Sequence, residues 1–297
     1  MTNAIINVYK EKGFTSFDVV AKLRGIFHQK KIGHTGTLDP DAEGVLPVCL
    51  GRATKVCDLL TDKDKVYETV LLLGQATDTQ DISGKVLETS KLHPTDQEIR
   101  QVIASFVGEI LQVPPMYSAL KVNGQKLCNL ARQGIEVERK ARPVTIHSIE
   151  ILELAFPRVR MRVSCSKGTY IRTLCDDIGR ALGCFGTMES LLRTSVMHFT
   201  LDNAYRLAEI EGMVEDGSIA SALIPVDSLF MDHVAGYVQE AYRIPFVNGN
   251  RLSSDWIRFE EEPTKRVRIY DWNKSFAGIY EYQDESQDYK PVKLFME

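Results

Sequence analysis

Strands and helices follow one another along this chain without the strict strand–helix–strand alternation of a parallel sheet, and that does most to limit its fold. Residues 5–9 read as a strand, broken by Gly13-Phe14-Thr15-Ser16. Thr15 and Asp18 make a loose capping box ahead of Val19, Val20, Leu23, Ile26 and Phe27 at helical spacing. Lys30-Lys31-Ile32-Gly33 ends that helix and leads into a loop rich in Gly, Thr, Asp and Pro that runs through Pro47. Residues 66–73 are largely apolar and β-favouring, a buried strand closed by Gly74. Residues 94–106 are a second amphipathic helix, opened by Thr95-Asp96 and ended at Gly108. Strands over 146–154 and 159–165, a short helix over 174–182 and a helix over 201–215 complete the series. The class this implies is α+β.

At 297 residues the chain exceeds one comfortable core and points to a large domain plus a smaller one. Ile224-Pro225-Val226-Asp227 marks the expected boundary, giving domains over 1–231 and 232–297. The tail holds short strand-like runs such as 267–270 and 277–280 between turn residues, the pattern of a small β-barrel. Residues 113–142 stand apart, with Pro114-Pro115, Asn123-Gly124, Gly134 and six Lys/Arg, and read as a hairpin-like basic excursion from the core.

Several function classes fall away. Apolar residues at 44% and charged residues at 26% exclude a disordered chain, a collagen and a coiled-coil rod. The apolar stretch 4–8 is too short for a signal core or a membrane span, so the expectation is a cytoplasmic chain with no membrane contact. The six cysteines form no C-x-x-C pair, which leaves small buried thiols kept reduced and no metal site. Phosphate-binding G-x-x-x-x-G-K-[ST] and G-x-G-x-x-G loops are missing, as are H-E-x-x-H and G-x-S-x-G. Charge is uneven: residues 116–193 carry 13 Lys/Arg against 7 Asp/Glu, while 232–297 carry 9 against 12. A basic stripe of that kind can bind phosphate or simply be a solvated face.

The densest functional-looking stretch is Gly33-His34-Thr35-Gly36-Thr37-Leu38-Asp39-Pro40-Asp41-Ala42-Glu43-Gly44. Small residues let a ligand approach the backbone, and Pro40 holds Asp39 extended. A carboxylate fixed there can serve as nucleophile or base. The same Asp-Pro pair also fits a helix cap or a turn, and these residues alone leave both readings open.

The run over 33–47, GHTGTLDPDAEGVLP, resembles the signature of the tRNA pseudouridine synthase B (TruB) family. Lys65-Val66-Tyr67, Leu73-Gly74-Gln75-Ala76-Thr77-Asp78-Thr79, and Pro115-Met116-Tyr117-Ser118-Ala119-Leu120-Lys121 continue the likeness. So do the segments 131–137, ARQGIEV, and 166–173, SKGTYIRT, in the family's order across roughly 5–195. Asp41 and Glu43 are more acidic than the family pattern.

The resemblance implies a pseudouridine synthase catalytic domain, a mixed sheet flanked by helices, followed by a small PUA-like β-barrel. It implies isomerisation of the T-loop uridine at tRNA position 55, with the base flipped out and no cofactor. By the same resemblance Asp39 acts at the glycosidic bond, at C1′ or on the 2′ proton, and Arg172 pairs with it. Tyr67 stacks on the uracil and assists at C5, Tyr170 and Leu191 line the uracil pocket, and His34 contacts the T loop. The excursion 113–142 closes on the T arm, Lys121 and Arg132 among its phosphate partners, and the tail touches the acceptor end. The family expectation is a monomer without a protein partner. A tRNA-binding chaperone shares these docking residues, whereas a glycoside hydrolase needs a second carboxylate acid and leaves Tyr67, Tyr170 and Arg172 without a role.

Overall fold

The computed structural model describes residues 1–122 and 124–296; Asn123, within the expected basic excursion, lies outside them. The elements that place the site are β1 (Ala4–Lys10), α1 (Ser16–Ile26), β2 (Ile32–His34), β3 (Glu43–Leu50) and β4 (Lys65–Leu73). They continue with α2 (Asp96–Ser105), β5 (Gly108–Gln112), β6 (Arg142–Ala155), β7 (Arg158–Cys165), α3 (Ile171–Ala181), β8 (Gly186–Val196) and α4 (Leu207–Glu215). The main sheet runs β1-β3-β8-β4-β7-β6-β5, with β2 added beside β3. Its pairs are antiparallel except β3 with β8. The fold is α+β.

Local chemistry accounts for the helices. Thr15 and Asp18 cap α1 reciprocally, and Thr95 and Glu98 do the same for α2, so each N-terminus satisfies its own backbone donors. Val19, Val20 and Leu23 bury one face of α1 with Ile6, Val8 and Leu46 of the sheet and Ile210 of α4. At the other end, Ile99 and Ile103 of α2 and Leu174 and Ile178 of α3 pack with Leu71, Met161 and Val163.

The structure corrects the reading of 33–47 as one long loop. Residues 32–34 and 43–50 are strands, leaving only 35–42 as loop. β3 is buried almost throughout, and Pro47 is tolerated because it falls between the stretches of β3 that pair with β2 and with β8. Gly44 is required there. Its φ is +105°, and a Cβ would stand 2.2 Å from the Arg193 carbonyl oxygen of β8. The excursion also ends one residue early, since Arg142 already pairs with Gln112 in the sheet. The short helix begins at Ile171 rather than 174, which brings Arg172 into its first turn. The expected helix over 201–215 is a single turn, Leu201–Asn203, followed by α4.

Much of the basic excess of 116–193 is neutralised in place. Arg162 bridges Glu68 and Glu150 on adjacent strands, Arg160 meets Glu68, and Arg158 meets Glu189. These exposed ladders order the sheet surface more than they stabilise it.

After Val234 the chain forms a separate, nearly closed six-stranded sheet. Its strand order is Leu252–Ser253, Asp288–Leu294, Phe276–Gln283, Arg266–Tyr270, Val234–Val238, Ile257–Phe259. Val238, Phe246, Val267, Ile269, Tyr280 and Tyr289 fill it. This sheet does not stand free of the rest. Ile279 and Phe295 join Ile5, Val45, Cys49 and Val226 in one apolar cluster.

Candidate active site

Asp39 lies in the 35–42 loop, where almost every segment is tied down. Thr35 donates its N–H and its hydroxyl to the Pro47 carbonyl at 3.1 and 3.0 Å. Leu38 N–H donates to Ser16 Oγ at 2.9 Å, and Gly13 N–H to the Pro40 carbonyl at 2.9 Å. The Ala42 N–H returns to the Asp39 carbonyl at 3.1 Å. Asp39-Pro40 therefore opens a turn rather than capping a helix.

Two buried cations hold this loop from below. Lys10, fully buried, donates to the carbonyls of Glu11, Pro40 and Ala42 at 3.1, 3.1 and 2.6 Å. Burial pulls its ammonium down to about 8, against the attraction of Glu43 and Asp39. Arg193, 1% exposed, donates Nε to the Val45 carbonyl at 2.7 Å and Nη2 to the Gly36 carbonyl at 3.2 Å. Lysine and arginine are seldom fully buried without a carboxylate. Here backbone carbonyls at the ends of the loop take that role, a pattern with no local sequence signature.

Arg172 gathers the site. Its Nε lies 2.9 Å from Asp39 Oδ2 and its Nη2 donates to Oδ1 at 3.2 Å, a two-pronged pair. Nη1 donates to the Thr79 carbonyl at 3.1 Å and Nη2 to the Tyr117 carbonyl at 2.7 Å. The Asp81 carboxylate stands 3.7 Å away. One guanidinium thus joins the 35–42 loop, the 79–82 segment and the excursion. The 79–82 segment is itself fixed to β8, through Met188 N–H to the Gln80 carbonyl and Ile82 N–H to the Met188 carbonyl, both 3.0 Å. A cation in the first turn of α3 opposes the helix dipole, and the Asp39 carboxylate offsets it.

Burial is the largest influence on the Asp39 carboxyl and pushes it above the usual range. Arg172 opposes that shift, Asp81 adds to it, and Lys10 opposes it. The side chain nevertheless keeps 39% of its surface accessible, against 5% for Arg172, because it faces an open cleft. That cleft holds about 860 Å³, and His34, Asp39, Asp81, Arg132, Arg172 and Leu191 are among its walls.

Five of the eight expected site residues therefore share one cavity: Asp39, Arg172, His34, Leu191 and Arg132. Tyr67 sits in β4 at 8% exposure, directly across from Arg193 in β8 and outside the cleft's lining. Burial pushes its phenol up while Arg193 pulls it down, and Asp39 is close enough to raise it. Tyr170 precedes α3, its backbone N–H and carbonyl both held by the Gln112 side chain at 2.8 and 3.0 Å. Its phenol is raised by burial and also feels Asp39. Burial and the Arg193 charge lower the His34 imidazole, favouring the neutral ring. Lys121 lies on the two-residue strand Lys121–Val122 and does not line the cleft; Lys126 does. Among the described residues no group of three or more His, Cys, Asp or Glu could hold a metal, and no helix is long and apolar enough to cross a membrane.

The N-terminal domain of TruB family pseudouridylate synthases matches residues 24–171, and the tRNA pseudouridylate synthase B C-terminal domain matches 172–231. A solved archaeal box H/ACA ribonucleoprotein complex is similar at a TM-score of 0.71 and 26% identity, over 99% of this chain and 86% of that one. The tRNA pseudouridine synthase B of Lachnoclostridium phytofermentans is 56% identical over 99% of this chain and all of its own length. That of Alkaliphilus oremlandii is 44% identical over 98% of this chain and 97% of its own. The chain belongs to the TruB family of tRNA pseudouridine synthases, which are isomerases.

Proposed function

We propose that the tRNA substrate is modified at the T-loop uridine, position 55, and that Asp39 is the group acting at its glycosidic bond. The observation that carries this reading is the two-pronged Arg172–Asp39 pair, set in a cleft that leaves the carboxylate reachable. The N1–C1′ bond breaks, the base turns within the pocket, and C5 bonds to C1′. N1 gains a proton and C5 loses one, so nothing is oxidised and no group leaves. Asp39 serves either by attacking C1′ or by taking the 2′ proton, and both routes need the ionised carboxylate that Arg172 favours.

Tyr67 and Tyr170 are the aromatic groups for the flipped base, with the Tyr67 hydroxyl, beside the Arg193 charge, assisting the loss of the C5 proton. Leu191 closes the apolar wall and the neutral His34 meets the T loop. Extruding a stacked base costs a few kcal/mol, and contacts from the excursion offset it. Arg132 and Lys126, which line the cleft, meet phosphates there, and Lys121 meets them elsewhere on the same excursion. The chain is organised as two domains, 1–231 and 232–297, its tail touches the acceptor end, and it works as a cytoplasmic monomer without cofactor.

The test is Asp39→Asn on unmodified tRNA. Pseudouridine formation should vanish while tRNA affinity stays within about tenfold, since the lost function is chemical rather than positional. Turnover above a few per cent of wild type would remove Asp39 from the reaction.

A further inference from the structure

Cys49 lies in β3, wholly buried, and its cross-strand neighbour in β2 is Gly33. Cross-strand neighbours project to the same face of a sheet, and Gly33 has no side chain to place there. The room is taken by another thiol: a Cβ on Gly33 would stand 3.2 Å from Cys57 Sγ. Cys57 opens the short helix Cys57–Thr61, is half-buried, and packs on the apolar cluster that contains Cys49. The two thiols influence each other directly. Cys49 lowers the Cys57 thiol against burial and the Asp58 charge, Lys293 lowers it further, and the Cys49 thiol is raised in return. Burial pushes the Cys165, Cys175 and Cys184 thiols the opposite way. Cys57 is therefore the more reactive sulfur, with Cys49 beside it to resolve the product.

We propose that Cys49 and Cys57 form a two-electron redox site, oxidised by a hydroperoxide to a disulfide and reopened by a dithiol. The Cys57 thiolate attacks one oxygen of hydrogen peroxide and the O–O bond breaks. The other oxygen leaves as hydroxide and takes up the proton that Cys57 released on ionising, giving water and a Cys57 sulfenic acid. Cys49 sulfur then attacks Cys57 sulfur; the S–S bond forms, the S–O bond breaks, and the departing hydroxide takes the Cys49 proton as a second water. Two thiols and one peroxide become one disulfide and two waters.

The site lies apart from the Asp39 cleft, at the join with the C-terminal sheet. Between the cysteines, Lys55 donates to the Leu294 carbonyl at 2.6 Å and Arg52 to the Phe295 carbonyl at 3.1 Å. Next to Cys57, Asp58 pairs with Lys293 at 2.9 Å. Closing the disulfide fastens this whole segment to β3.

The experiment treats reduced full-length protein with equimolar hydrogen peroxide, blocks remaining thiols by alkylation, and digests with trypsin. Cleavage after Lys31, Arg52, Lys55 and Lys63 puts Cys49 in peptide 32–52 and Cys57 in peptide 56–63. The expected product is these two peptides joined, lighter than their sum by two hydrogens, and separated again by dithiothreitol. It should form before any change at Cys165 or Cys175. Cys57→Ser, at a half-buried position, should stay folded, make pseudouridine and give no joined peptide. The inference is overturned if native protein accumulates oxidised Cys57 without the cross-link, or if the cross-link forms only after denaturation in urea.

Discussion

Replacing Arg172 with Met removes the group on which three segments converge, and the structure sets the size and sign of the effect. The guanidinium is 5% exposed and donates to the Asp39 carboxylate and to the carbonyls of Thr79 and Tyr117. Stripping a buried donor from such partners costs about 3 kcal/mol of folding stability. The loss should appear in urea unfolding as a lower midpoint with an unchanged slope. The catalytic consequence is separate. Burial and Asp81 already push the Asp39 carboxyl up, and Arg172 is the first force opposing them. Without it the carboxyl protonates at a higher pH, so the acid limb of kcat/KM moves upward. The direction follows from removing a cation 2.9 Å from the carboxylate. Arg172→Lys should recover much of the pH shift but little of the rate, because an ammonium lacks the planar fork. An Arg172→Met protein that is folded, retains measurable activity and has an unmoved acid limb would refute the reasoning.

Neutralising Lys126 and Arg132 together should lower the dependence of log Kd on log salt by up to about 2, measured by tRNA titration, if both meet phosphates; an unchanged slope would place the clamp elsewhere. Lys10 binds its proton less well in the fold, at about 8 against 10.5. The unfolded chain therefore holds more protons between those values, and this group adds stability as pH rises through that window. Cys165 and Cys175, pushed up to about 12, act oppositely, so the measured quantity is the difference between wild type and Lys10→Met, which should grow in favour of wild type from pH 7 to 10. Phe295→Ala should cost about 3 kcal/mol in urea unfolding, because that ring is buried in the cluster shared with Ile5 and Val45; a cost near zero would mean the two sheets do not rely on each other.

The residues determined by themselves whatever depends on near neighbours. Thr15 with Asp18, and Thr95 with the helix behind it, announce α1 and α2 because a cap is satisfied within three residues. The motif around Asp39 and the one around Arg172 could each be recognised, since each is a short contiguous string. Their meeting at 2.9 Å came from the tertiary fold, which brings residues 133 positions apart into one cleft. The structure alone also decided that 43–50 is a buried strand. Its Gly and Pro look like loop residues until β8 presses against Gly44 and Pro47 falls between partners. Lys10 and Arg193 are the clearest case. By composition they belong on the surface, and only the folded chain shows them inside, because the carbonyls that compensate their charge come from the far side of the loop. A cap is a contract between neighbours, readable along the chain. A buried charge is settled by groups that only folding brings within reach.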